Sequence, residues 1–315
     1  MQDNSIAFTT PAGAPRWQRW LLFSPLARIM IFALMFVPFS FAMGGVFHVL
    51  GWGGRNGPAL DHAMAQCLLR AVPPLLAYLL LVRLVERRPV TELALRTLLP
   101  SAARGMLGGV LLFSAVVGVL YLLGSYHVSG INPDARWLPA LLMVGLGAGI
   151  GEEIVARGVL FRVIEEGLGT WVALIVSALF FGAAHIANPG ATLWSSAAIT
   201  IEAGLLFGLL YHVTRSLYVC MGLHAAWNFT QGTVYGIPVS GTSADGWLVS
   251  TRSGPDWLSG GVFGAEASVV ALALCLLCFA WLLAVAVRRR SLVPPLPGRQ
   301  TDADVALQPA VRTVG

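Results

Sequence analysis

Glu152, Glu153 and Arg157 stand together in "LGAGIGEEIVARGVLF", residues 146–161, a stretch otherwise apolar enough for the middle of a membrane helix. A lipid-facing charge there costs roughly 2.5–3.5 kcal/mol on insertion scales, so the three need partners. Two further spaced pairs follow, Phe181 and His185 in "FFGAAHIAN" and His224 and Asn228 in "GLHAAWNF". The members of each pair are four residues apart, as are Glu153 and Arg157, and residues so spaced share one helix face. Each helix then presents its polar groups on a single side, toward a bundle interior and away from lipid. Glu153 and Arg157 can pair along their own helix. Glu152 lies about 100° round the helix from Glu153, has no local partner, and needs one from another helix; His185 and His224 are the candidates. A carboxylate with two imidazoles and an amide, withdrawn from bulk water, can activate a water molecule and stabilise an oxyanion.

Taken singly, each signal has a plainer reading. A lone intramembrane histidine bonds a backbone carbonyl across helices, and a Glu–Arg pair is a structural staple. On three successive helices with shared spacing, the set favours a functional site. Glu202 in "AAITIEAGLLFGLLYHV" is a further intramembrane acid that either lines the same cavity or bonds structurally. His212 and Arg70 read as structural, Arg70 by snorkelling or pairing. Glu165 and Glu166 follow Arg162 and read as a solvated face at a helix end.

The elements that must position these residues are membrane helices. The chain of 315 residues is 57% hydrophobic and only 11% charged, against about 25% charge in a soluble domain. Apolar runs near 20 residues long predict an all-α, polytopic membrane protein with eight spans, at 28–50, 63–84, 105–126, 137–164, 170–188, 194–213, 216–236 and 264–287. Residues 1–27 are expected to form an N-terminal tail ahead of an uncleaved first span. Helices 1–3 occupy 28–136. Within them, 85–104 reads either as an amphipathic interfacial helix with Thr91 as N-cap or as a solvated connector. Helices 4–7 fill 137–236, a Gly/Ser-rich outer loop covers 237–263, helix 8 covers 264–287, and 288–315 is expected to be a flexible tail.

All 20 basic residues are arginine, giving a net charge of +5. They flank the apolar runs and do not cluster on one polar surface, which reads as orientation signal and speaks against a nucleic-acid partner. Most precede the first span, lie between spans two and three or six and seven, or follow span eight. Only Arg55, Arg136 and Arg252 fall on the opposite side, so both termini are expected in the cytoplasm. Cys67, Cys220, Cys275 and Cys278 all sit in apolar segments, and the C-x-x-C at 275–278 reads as helix packing.

"EEIVAR" fits an E-E-x-x-x-R motif, "FGAAH" fits F-x-x-x-H and "HAAWN" fits H-x-x-x-N. In this order and spacing, over residues 137–236, the chain resembles the type II CAAX prenyl endopeptidase family, also called the CPBP or ABI family of intramembrane proteases. The resemblance implies hydrolysis of a peptide bond in a membrane-associated protein or peptide within the bilayer. By matching position, Glu152 would be the general base, assisted by His185; His224 and Asn228 would hold the oxyanion; Glu153, Arg157 and Phe181 would order the site. The zinc pattern H-E-x-x-H is absent. One glutamate and two histidines still match the His₂Glu set of some catalytic zinc sites, so Glu152, His185 and His224 would be the ligands if zinc is bound. The reading taken is glutamate-activated water with no metal firmly assigned. A lysine-free chain with short outer loops suits a bacterial plasma membrane. Two other classes stand beside this one: a transporter or proton-coupled channel using the buried Glu and His residues as a relay, and a non-catalytic membrane scaffold.

Overall fold

Apolar runs bounded by capping and turn signals become the helices. The computed structural model describes residues 10, 14–52 and 58–295. Arg55, residues 1–9 and 11–13 of the expected N-terminal tail and most of the expected C-terminal tail lie outside the described residues. Helix α1 (Pro25–Val49) begins where Ser24 accepts a hydrogen bond from the Ala27 N–H at 3.2 Å, with Pro25 at the first helical position, where a missing N–H is harmless. Then follow α2 (Ala59–Val85), α3 (Leu95–Leu122), α4 (Trp137–Leu168), α5 (Thr170–Ala187) and α6 (Leu193–Thr214). Helix α7 covers 217–234 and α8 is Val269–Arg288. Seven of these are long and apolar enough to cross a membrane; α7 is the exception. It carries His224, Asn228 and Gln231, and it is the enclosed helix, packed against α3, α4 and α6, with Leu217 and residues 220–227 buried. A helix that meets protein on all sides has no need of a lipid-compatible surface. The protein is thus an all-α, polytopic membrane protein, and its lipid-facing surfaces are the exposed leucines, valines and aromatics of α1, α3, α5 and α8.

Close backbone approach locks the inner helices together. A Cβ added at Gly105 would lie 2.1 Å from the Val219 carbonyl oxygen. One at Gly109 would lie 2.4 Å from that of Leu223, and one at Gly222 would lie 2.4 Å from that of Ala102. Helices α3 and α7 therefore touch backbone to backbone, the small-residue packing that membrane interiors favour. Gly151 does the same between α4 and α2, where a Cβ would come within 2.2 Å of the Arg70 carbonyl oxygen. Helix α4 widens into i→i+5 turns at Leu141–Gly147 and Ile154–Phe161, on either side of the ordinary turns at Ala148–Glu153. A similar widening at Thr200–Leu205 carries Glu202. Such turns re-aim side chains and are frequent at functional sites.

At the arginine-rich end, α1, α2, α4 and α6 meet in a buried ionic network. Arg162 donates to Glu86 at 2.8 Å, Arg28 pairs with Glu86 at 3.3 Å and with Glu166, and Arg88 pairs with Glu86 at 2.9 Å. Glu165 pairs with His212 and Arg215 and accepts from the Thr170 hydroxyl at 2.9 Å. This corrects the expectation of a solvated face: Glu165 and Glu166 are buried, because Arg28 and Arg215, remote in sequence, fold over them and supply their partners. Thr91 is not an N-cap. It opens a short 3₁₀ turn, Thr91–Leu93, with no side-chain cap, and the next turn runs straight into α3, which starts at Leu95 instead of near 105. Beyond α8, the Val293 N–H donates to the Thr170 hydroxyl at 2.8 Å and the Ser291 hydroxyl lies 3.0 Å from His212 Nε2. The start of the expected flexible tail is therefore held in place.

The opposite end carries a feature absent from the sequence reading. Strand β1 (Tyr126–Ile131) pairs antiparallel with β2 (Leu248–Arg252), Tyr126 opposite Arg252, with an irregularity between Val128 and Gly130. The Tyr126 hydroxyl donates to the Tyr235 carbonyl at 2.8 Å and ties this two-stranded ribbon to the end of α7.

Candidate active site

Glu152 lies near the middle of α4, His185 near the end of α5, and His224 in α7. Oε2 of Glu152 lies 3.9 Å from Nε2 of His185 and 3.9 Å from Nε2 of His224. It is a buried atom with no hydrogen-bond partner, although the Glu152 side chain as a whole is 39% exposed. Both rings are held through their other nitrogen. Nδ1 of His185 lies 2.7 Å from the Phe181 carbonyl oxygen, four residues back on the same helix. Because a carbonyl only accepts, this nitrogen carries a proton, and Nε2 is left facing Glu152. Nδ1 of His224 lies 2.8 Å from Oε1 of Glu153. The two Nε2 atoms therefore converge on Glu152 from separate helices.

Glu153 is fully buried and spans two partners, His224 and the Arg157 guanidinium at 2.8 Å. Arg157 in turn donates to the Ala203 carbonyl at 2.6 Å, and its guanidinium lies 4.6 Å from the Phe181 ring centroid and 5.2 Å from that of Phe207. Phe181 thus acts twice, through its carbonyl on His185 and through its ring on Arg157. Asn228, one turn beyond His224, donates to the Val144 carbonyl of α4 at 2.9 Å. Every sequence-predicted residue is drawn to one place except Glu202, which stands on the far wall of an adjoining cavity.

Two cavities meet at these residues. The larger, with about 910 Å³ of empty space, lies between α1, α2, α4 and α5 and ends at Glu152 and His185, with Arg70 in its wall. The smaller, about 430 Å³, runs from His185, His224 and Asn228 to Glu202, Ser240 and Glu266. Glu266, just ahead of α8, accepts from the Ser240 backbone N–H and from the Gln231 amide. Burial raises its carboxyl to about 7 despite those donors. Glu266 and Ser240 escaped sequence reading. An acid beside the apolar run "ASVVALALC" was a visible signal for the first, whereas nothing in the Gly/Ser-rich loop marked the second.

Glu152, His185 and His224 carry the donor types of a His₂Glu metal site. Two ligands on a tetrahedral zinc at about 2.0–2.2 Å stand roughly 3.3–3.6 Å apart, closer than the 3.9 Å separations here. Among the described residues, no three His, Cys, Asp or Glu side chains are grouped to hold a metal ion.

Residues 134–230 match the family described as Type II CAAX prenyl endopeptidase Rce1-like. The matched segment runs from the turn before α4 into α7 and contains Glu152, Glu153, Arg157, Phe181, His185, Glu202, His224 and Asn228. Over it the chain is similar to a family of intramembrane CAAX endopeptidases. No curated protein matches the chain.

Proposed function

We propose that this chain is an intramembrane endopeptidase that hydrolyses a peptide bond of a membrane-associated protein or peptide with glutamate-activated water. The observation that carries this reading is the pair of 3.9 Å separations from Glu152 Oε2 to two ring nitrogens whose orientations are fixed from behind. These gaps are too long for direct hydrogen bonds, and one water at about 2.7–3.0 Å from each atom spans them. Glu152 takes a proton from that water while His185 Nε2 accepts its second O–H and aligns it. The hydroxide oxygen bonds to the scissile carbonyl carbon. A protonated His224, its charge balanced by Glu153, and the free amide N–H of Asn228 donate to the resulting oxyanion. Collapse breaks the C–N bond, and the proton held on Glu152 passes to the leaving nitrogen. Arg157 and Phe181 position the acids and the His185 ring without touching substrate. The larger cavity, walled by Phe36, Pro74, Val155 and Phe180, supplies an apolar path for a membrane-borne segment.

The arginine-rich end faces the cytoplasm in this reading, with both termini on that side of a bacterial plasma membrane. Reporter fusions check the orientation: phosphatase fused at the C-terminus should be silent and a cytoplasmic fluorescent protein bright, and the reverse pattern rejects it.

The first test of activity is cleavage of a mixed membrane-soluble peptide library by purified protein in detergent. Glu152→Gln should lower turnover by at least 10²-fold, on the scale of general-base loss, with an unchanged melting temperature. A folded Glu152→Gln protein cleaving at the wild-type rate removes Glu152 from the chemistry.

A further inference from the structure

The geometry points to a second binding site beside the reacting groups: a subsite, walled by Glu202 and Glu266, for a lysine or arginine side chain adjacent to the scissile bond of the substrate. The inference rests on the peptidase reading and adds a substrate class to it. Glu202 is 3% exposed and lines the smaller cavity, and its Oε2 is buried with no hydrogen-bond partner. A buried carboxyl group with neither a hydrogen-bond partner nor a counter-charge is an incomplete site, because an unsatisfied buried polar group costs free energy. The cations nearby are committed elsewhere. Arg157 is engaged by Glu153 and the Ala203 carbonyl between two aromatic rings, and Arg252 donates to the Ser259 carbonyl at 2.8 Å.

The second acid makes the cavity doubly acidic. Glu266 already accepts from Ser240 and Gln231 and places a second carboxyl group in the wall without needing a further donor. An ammonium or guanidinium group would satisfy the orphaned Glu202 oxygen and neutralise the wall at once. The remaining walls suit the rest of such a side chain: Phe207 and Trp227 offer apolar surface for an aliphatic stem and aromatic faces for a cation. The position relative to the chemistry follows from continuity. His185, His224 and Asn228 form the other end of the same cavity, so a group entering it from a bound peptide belongs to a residue next to the bond being cut.

The test is a set of membrane-soluble peptides identical except for Lys, Gln or Glu at each position flanking the cleaved bond, assayed with wild type, Glu202→Gln, Glu266→Gln and Glu202→Lys. Wild type should prefer the lysine peptide over the glutamine one by roughly tenfold or more in kcat/KM, mainly through KM. Glu202→Gln should erase most of that ratio, Glu266→Gln should reduce it, and Glu202→Lys should turn it toward the glutamate peptide. Melting temperatures identify any variant that fails to fold, and the wild-type ratio is decisive without them. Cleavage with no basic preference, or a preference indifferent to folded Glu202→Gln, overturns this inference alone. Cleavage of none of the peptides overturns the peptidase reading and this inference with it.

Discussion

Glu153 has two partners where local spacing allots it one. The four-residue offset to Arg157 predicts the ion pair, and the structure adds His224 Nδ1 on the same carboxylate oxygen. Arg157 thus balances a fully buried acid that also fixes the ring proposed to hold the oxyanion. Arg157→Ala removes one member of a buried pair and leaves the other uncompensated, an effect of about 3–5 kcal/mol. It should lower the melting temperature in detergent and abolish cleavage. Arg157→Lys keeps a charge but cannot reach both Glu153 and the Ala203 carbonyl with one planar fork, so it should recover stability more fully than turnover. Equal melting temperatures for wild type and Arg157→Ala would show the pair to be dispensable. At this scale the site residues were legible because polar atoms inside apolar runs stand out. The different partners of Glu152 and Glu153 were legible only in part, since the Glu153–His224 contact joins residues 71 positions apart.

At the scale of the elements, α7 is the informative helix. Its apolarity falls short of a lipid-facing span, and its enclosure by α3, α4 and α6 explains why. The glycines that let α3 lie against it are as necessary as its polar residues. Gly109→Val places a side chain where 2.4 Å separates an added Cβ from the Leu223 carbonyl oxygen. Helix α3 must then move away, and His224, one residue beyond Leu223, moves with the contact. The expected result is loss of the monodisperse peak in size-exclusion chromatography or, in protein that survives, a cleavage rate at least tenfold lower. A variant with wild-type profile and rate would mean the interface yields without disturbing the site. Seven helices were legible from hydropathy, most with errors of a few residues at their ends, while α3 begins at Leu95, ten residues before the expected start. The β1–β2 pair was not, because each short strand lies in a different loop, far from the other in sequence, and is defined only by pairing with it.

Across the whole molecule, the two ends respond to pH with opposite sign. Burial alone would raise the Glu86 carboxyl, but the guanidinium groups of Arg162, Arg88 and Arg28 outweigh it and hold it below the usual carboxylate value. Its stabilisation is complete above about pH 4.5 and is lost as pH falls through the lowered native value. Glu266, at the other end, is raised from 4.5 to about 7 by burial. Its neutral form is favoured by the fold, so stability declines as pH rises from about 4.5 to 7 and levels off above that. Scanning fluorimetry from about pH 2.5 to 8 should show Glu266→Gln flattening the slope between about 4.5 and 7, with Glu86→Gln flattening the acid limb below about 4.5 instead. An unaltered slope in Glu266→Gln would place its titration outside that window.

The sequence by itself determined the membrane class, the helix count within its central segment, and the cluster of acids, histidines and amide that one cavity would have to hold. Those follow from hydropathy and from helical spacing, which act over a few residues and leave a readable pattern. Tertiary structure alone decided that Glu165 and Glu166 are buried, because Arg28 and Arg215 reach them from other helices. It also decided that Glu202 faces Glu266 across a cavity shared with the site, and that Glu152 stands equally distant from two ring nitrogens. Those relations depend on how helices cross and where their backbones touch. Close contacts at Gly105, Gly109, Gly151 and Gly222 set that packing, and no local run of residues encodes it.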